Sequence, residues 1–170
     1  MNGSFLSKLY EISYSALFRN LEGVTHDESL VEPQPAGNGL NWVLGHIVAN
    51  RNRLLPMLGE QMVWPPEHAF LYSGREEAQW NVGKAFHLDS IKTDLARSQQ
   101  RLMGVLEHIP IAALNTPTDT GQTLGEVIGF FHFHESYHVG QIALLRRVLG
   151  REGVIKPPQL RRLSGAQRAI

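Results

Sequence analysis

Residues 123–150 read TLGEVIGFFHFHESYHVGQIALLRRVLG, and this stretch decides the fold. Thr123 and Glu126 form a Thr-x-x-Glu pair at its start. Such a pair satisfies orphan backbone donors in both directions and opens a helix. Gly150 is placed to close it. A helix of this length runs about 40 Å at about 1.5 Å per residue. At about 100° per residue, Leu124, Val127, Ile128, Phe131, Ile142, Leu145 and Leu149 fall within an arc of about 100°. A helix so apolar along one side has to pack against others.

Working outward, three further segments carry the same period. Residues 88–108 place Ile91, Leu95, Leu102 and Leu106 on one side, with Pro110 just past the end. Residues 40–58 carry Leu40, Val43, Leu44, Ile47, Val48, Leu54, Leu55 and Leu58. Asn38 or Asn41 is expected to cap this helix and Gly59 to stop it, with Pro56 kinking or shortening the last turn. Residues 4–21 repeat Phe5, Leu6, Leu9, Ile12, Leu17 and Leu21, and Gly23 can end that run. Residues 24–39, with Pro33, Pro35, Gly37 and Gly39, read as a loop. Residues 60–87 are mixed, with a short helix expected around 75–80. No convincing strand alternation occurs.

The expected fold is all-α: a four-helix bundle, with long links after the first and second helices that permit crossover loops. Residues 1–150 would form the bundle. Residues 151–170, basic and carrying Pro157 and Pro158, would form a poorly ordered tail or an arm against a partner.

Composition excludes several function classes. A chain of 170 residues suits one domain. Sixteen basic and 16 acidic side chains give a net charge of zero, which argues against a nucleic-acid or membrane partner held by charge. The lack of cysteine excludes a disulfide framework, a thiolate metal site and a cysteine nucleophile. No segment approaches the roughly 20 apolar residues of a spanning helix, and the first ten residues lack a cationic start followed by an apolar run. A cytoplasmic location is the expectation.

The chemistry enters through histidine. His134 and His138 fall inside the apolar arc of the fourth helix. Burying a polar ring without partners costs about 1–3 kcal/mol. A metal ion removes that cost, because an i, i+4 pair aims two nitrogens at one point. The plainer alternative is that each ring finds a hydrogen bond in the core or reaches solvent at a groove.

A third ligand has to come from another helix. His46 is the candidate, on the flank of the second helix about 60° from Val43. As a lone histidine it could equally be an ordinary polar residue. His132 points about 160° away from His134 and cannot share that centre. His26, His68, His87 and His108 lie in loops or near helix ends. Asn50, one turn after His46, and Gln141, three residues after His138, are candidates for the wall of a substrate pocket; ordinary groove polarity is the alternative for both. No independent general base stands out.

His134-Glu135-Ser136-Tyr137-His138 also satisfies H-E-x-x-H, the metalloprotease pattern in which the glutamate is the base. Those enzymes need a third ligand downstream and a sheet to align the peptide. The only acidic residue after His138 is Glu152, and no strand is expected nearby. The alternative for Glu135 is a polar residue at the edge of the bundle face, holding a ligand or a neighbouring arginine.

Asn41-Trp42-Val43-Leu44-Gly45-His46-Ile47 resembles the second-helix motif of the DinB-like superfamily. Thr123-Leu124-Gly125-Glu126, followed by His134-Glu135-Ser136-Tyr137-His138-Val139-Gly140-Gln141-Ile142, resembles its fourth-helix motif. The resemblance implies a four-helix bundle whose metal ligands are His46, His134 and His138, with zinc or nickel as the expected ion. It further implies a metal-dependent enzyme: a transferase using an external low-molecular-weight thiol such as bacillithiol or mycothiol, or a hydrolase. The substrate would be a small molecule.

Three histidines leave positions open on an ion, as a catalytic site requires. The competing expectation is a non-catalytic, metal-stabilised binding module. The resemblance also implies a homodimer. Phe130, Phe133, Tyr137, Leu144 and Val148 form a second apolar arc on the fourth helix; it would meet either a partner subunit or a second neighbour in the same bundle.

Overall fold

The computed structural model describes residues 2–74 and 80–154. Its elements are α1 (Gly3–Leu21), α2 (His26–Ser29), α3 (Leu40–Met57), α4 (Pro66–Leu71), a 3-10 turn at Val82–Lys84, α5 (Leu88–Leu106), α6 (Ile111–Leu114) and α7 (Leu124–Val148). Among the described residues there is no β-strand, only an isolated bridge between Pro117 and Thr123. Among the described residues no helix is long and apolar enough to cross a membrane.

The four long helices form the bundle. α7 packs against α1 and α3, and α5 packs against the same two. α1 and α3 are therefore diagonal to one another, as are α5 and α7. The link after α1 crosses the bundle, as expected, and so does the link from α5 to α7. The long link between α3 and α5 instead joins neighbours, so it does not need to cross.

The ends follow from local chemistry. The Asn2 side chain accepts from the Phe5 amide at 2.9 Å and starts α1. On α7, the Thr123 hydroxyl accepts from the Glu126 amide, and the Glu126 carboxylate accepts from the Thr123 amide. Gly23, Gly59 and Gly150 all take positive φ at the stops the sequence marks.

Other boundaries differ from expectation. Residues 26–29 are helical rather than loop, because Thr25 and Glu28 form a second capping box. α3 starts after Gly39 with no side-chain cap. Asn41 lies buried inside it, donating to the Phe86 carbonyl and accepting from the Tyr72 hydroxyl. Pro56 lies inside the last turn, and α3 continues past it to Met57. α5 stops at Leu106. The short helix expected around 75–80 falls mostly on 75–79, outside the described residues, as does most of the 151–170 tail.

The core splits into two apolar clusters. One gathers Leu17, Leu44, Ile47, Val48, Leu95, Val139 and Ile142 among others. The second gathers Leu6, Tyr10, Leu54, Leu55, Leu102, Leu106 and Ile128. Between them lies a polar layer with one contribution from each long helix: Tyr14, Arg51, Ser98 and Glu135. Arg51 Nε and Nη2 donate to the two Glu135 oxygens at 2.7 and 2.8 Å, and Nη1 donates to Ser98 Oγ at 3.1 Å. The Tyr10 and Tyr14 rings face the guanidinium at 5.8 and 5.9 Å. Burial raises the Tyr10 hydroxyl far above its ordinary titration range and keeps it neutral.

Candidate metal centre

α3 and α7 are neighbours, and that contact brings three histidines together. One nitrogen from each of His46, His134 and His138 lies within 4.8 Å of the other two. His46 is 8% exposed, His138 is buried and His134 is half-buried. His134 and His138 stand one turn apart on α7, with their Nε2 atoms 3.2 Å apart.

The surroundings set which nitrogen of each ring faces inward. His46 Nδ1 donates to the Tyr72 carbonyl at 2.6 Å. A carbonyl can only accept, so His46 Nε2 is unprotonated and carries the ring's lone pair. The Asn50 amide nitrogen, 3.0 Å from that Nε2, is a donor consistent with this tautomer. His138 Nδ1 donates to Gln141 Oε1 at 2.7 Å, which leaves its Nε2 unprotonated in the same way. His134 has no such anchor among the described residues.

The Tyr72 carbonyl reaches His46 because of a missing side chain. A methyl at Gly45 would overlap the Tyr72 ring, so glycine lets that ring lie flat against α3. The Tyr72 hydroxyl is tied to Asn41 and to the Phe86 amide, which fixes the residue at both ends. The Trp42 ring stacks on His46 at 4.8 Å with an interplanar angle of 10°.

Burial pushes His46 down to about 4, against a smaller upward pull from the Tyr72 bond; His138, His134 and Arg53 push it further down. Burial also lowers His134, with Arg53 adding to that and Glu135 opposing it. Burial lowers His138, opposed by the Gln141 bond. All three rings are therefore neutral at physiological pH, the state a metal ligand needs.

The donor set fits a divalent ion. Two nitrogens bound to a tetrahedral zinc at about 2.0–2.1 Å stand about 3.3 Å apart. The His134 and His138 nitrogens are 3.2 Å apart without help. Two neutral imidazoles at that distance either share a proton in the gap or share a cation, and the convergence of a third unprotonated nitrogen, His46 Nε2, on the same space favours the latter.

The expected pocket residues are placed differently from one another. Asn50 lies against His46 Nε2 and lines a cavity of about 380 Å³ between α3 and α4. Gln141 is engaged at Nδ1, on the far side of the His138 ring from Nε2. His132 lies on the α1 side of α7, 3.1 Å from Ser13 Oγ. Glu135 is 4% exposed with both oxygens on Arg51, so it is not free to act as the base of an H-E-x-x-H protease.

Sequence reasoning missed Tyr72, Trp42 and the identity of the Glu135 partner. The spacing of Arg51, i+3 from Val48 and i−4 from Leu55, signals a buried position on α3 but not its partner. The Tyr72 carbonyl left no side-chain signal to find.

The profile of the DinB superfamily matches residues 9–142, a span that includes all three histidines. A crystal structure described as the conserved protein of a locus from Enterococcus faecalis is similar over 88% of this chain and 98% of its own, with a TM-score of 0.70 and 17% identity. At that identity it supports the fold alone. No curated protein matches the chain significantly.

Proposed function

We propose, from the premise that this chain belongs to the DinB superfamily, that His46, His134 and His138 hold a divalent metal ion, zinc or nickel, and that the protein is a metal-dependent enzyme acting on a small electrophile. The nucleophile is water or an external low-molecular-weight thiol, which makes the protein a hydrolase or a thiol S-transferase. One observation carries this reading: two of three converging imidazoles have Nδ1 tied to an acceptor, so their Nε2 lone pairs share one small space.

A divalent ion held there supplies Lewis acidity, making water or a thiol more acidic and so more nucleophilic at neutral pH. The chain's own residues supply the rest. Tyr72 and Gln141 hold the ligand rings in orientation. Asn50 lines the cavity beside His46, with its amide nitrogen on the His46 carbonyl and against Nε2. The chain has no cysteine, so any thiol comes from outside.

Elemental analysis of purified protein tests the first half. About one equivalent of metal is expected, and none after His46, His134 and His138 are all changed to alanine. A panel of electrophiles with water and with several low-molecular-weight thiols tests the second half. Full metal occupancy without turnover of any pair would remove the enzyme and leave the binding module.

That second reading has an observation of its own. Phe130, Phe133, Tyr137, Leu144 and Val148 are 56–68% exposed, so the bundle does not use them. Phe130 and Tyr137 also touch the His134 and His138 rings. A second copy of this chain on that face would form the rim of the site, and the apolar arc supports a homodimer in either reading. Light scattering is expected to give twice the chain mass, and Leu144→Glu to return it to one.

A further inference from the structure

Two described arginines, Arg53 and Arg147, are exposed and donate to no described residue, and of these only Arg53 lies on the histidine-bearing face of α3 and over an aromatic ring. Arg19, Arg51, Arg97, Arg101, Arg146 and Arg151 each donate to a protein acceptor. Arg53 is exposed, donates to no described residue, and rests its guanidinium over the Phe131 ring at 5.7 Å. It sits seven residues after His46 and three after Asn50, so all three share one face of α3, spanning about 10 Å.

Two cavities meet at this side chain. The one of about 380 Å³ is lined by Asn50 and Arg53 and walled by Pro56, Met62, Pro66 and Phe70. The neighbouring one, of about 580 Å³, also has Arg53 on its wall but includes Asp119. Among the described residues lining the smaller cavity there is no acidic group, and Arg53 is its one charge. The polar atoms of Asn52 there are already taken by Val63 and Trp64. The smaller cavity thus has apolar walls, a cation at one side, and at Asn50 a direct contact with His46 Nε2.

We propose that Arg53 is the anion-recognising residue of this cavity, and that the cavity takes a small molecule with an apolar body and a carboxylate. A lone guanidinium presents two parallel N–H groups that match a carboxylate's two oxygens. A phosphate would call for more donors than this wall offers. The cavity volume suits a molecule of modest size. The inference rests on the metal-centre reading only for the direction of the substrate: carboxylate on Arg53, reacting end toward the histidines.

The test uses calorimetric titration of the full-length protein with 4-phenylbutyrate and with its neutral amide. Both are run on metal-loaded and on metal-free protein, so that ligation of the carboxylate by the ion is not mistaken for Arg53. Wild-type protein is expected to prefer the carboxylate by about tenfold in both states. Arg53→Met is expected to abolish the preference with an unchanged melting curve, and Arg53→Lys to keep part of it. A preference that survives Arg53→Met, or the absence of carboxylate binding by metal-free wild type at millimolar concentration, overturns the proposal. If the protein takes up no metal yet the preference follows Arg53, the metal-centre reading falls and this one stands. If metal binds and the preference ignores Arg53, the reverse holds.

Discussion

Two buried polar groups join α3 to α7, only a few residues apart, and they are built on opposite plans. Arg51 follows His46 by five residues, and Glu135 adjoins His134. The arginine and the carboxylate complete one another, with both acid oxygens and three guanidinium nitrogens engaged. The histidines do not complete one another. Their outer nitrogens are anchored at His46 and His138, and their inner ones face a common point where the Asn50 amide beside His46 is the one non-histidine donor among the described residues. Arg51, Glu135, His46 and His138 are all buried, with His134 half-buried, and the helices are the same. A closed set of charges specifies how two helices meet, whereas an open set of lone pairs asks for a cation.

The largest way to break this contrast is to open the closed set. Glu135→Ala leaves the Arg51 charge buried without a partner. It is expected to cost about 3–5 kcal/mol, read from urea unfolding. The double change Arg51→Met with Glu135→Leu, which removes both charges, is expected to restore most of that. A loss below about 1 kcal/mol for Glu135→Ala would mean that the pair is solvated and that the two regions are not opposites.

A smaller effect loosens the open set from behind. Gly45→Ala pushes a methyl into the Tyr72 ring, and overpacking of this kind costs about 1–3 kcal/mol. The larger consequence is at the site. Moving Tyr72 frees His46 Nδ1, and loss of such an anchor typically weakens metal binding by about 10- to 100-fold. Competition with a metal-binding dye measures it. Unchanged affinity would show that the Tyr72 carbonyl does not set the His46 tautomer.

Removing the open set comes next. In metal-free protein at neutral pH, changing all three histidines to alanine is expected to alter stability by about 1–2 kcal/mol, less than Glu135→Ala. The pH dependence then separates the two regions. Folded His46 resists protonation down to about 4, while an unfolded histidine accepts a proton near 6.5. Between those values the unfolded chain binds more protons than the folded one. Metal-free stability therefore falls as pH drops from about 6.5 toward about 4 and is level above. The lowered His134 and His138 act in the same direction. Loss of this slope in the triple variant, with the acid limb from carboxylates retained, is the expected outcome. An identical slope in the variant would assign it elsewhere.

The contrast also explains what could be read from sequence. The four long helices were legible because each pairs a 3.6-residue apolar period with a stop signal, as at Gly59 and Gly150. His134 and His138 were legible because two polar side chains interrupt an apolar arc at i, i+4. Short elements were not: α2, α4 and α6 bury too few side chains to leave a period, and α2 is held by the Thr25–Glu28 caps. Asn41 looked like a cap, yet tertiary partners at Phe86 and Tyr72 hold it inside the helix. Glu135 carried a misleading motif, since H-E-x-x-H fixes spacing on a helix but not which way the glutamate's partner lies. That depended on Arg51, a contact across 84 residues that no local pattern encodes. The Tyr72 carbonyl was hidden for the same reason, with the added one that any residue type supplies a carbonyl.

The smallest effect is the control that keeps the comparison sharp. α7 carries Glu135, His134 and His138 together, so general weakening of that helix could masquerade as a change at either region. Thr123→Ala removes one side of the capping box, eleven residues before His134. It is expected to cost about 1 kcal/mol. Thr123 touches neither polar set, so metal stoichiometry and affinity should not move, and Arg51–Glu135 coupling in a double-mutant cycle should stay the same. The depressed Glu126 carboxyl, stabilised chiefly by the Thr123 amide and then by its hydroxyl, adds an acid signature. A carboxyl lowered in the folded state contributes stability above its unfolded pKa and loses it as pH falls through the folded one. Thr123→Ala should shrink that acid-limb contribution only in part, since the backbone bond remains. If metal affinity instead dropped along with stability, the three-histidine set would be responding to the folding of the whole helix. The distinction between a closed structural pair and an open binding site on the same two helices would then be lost.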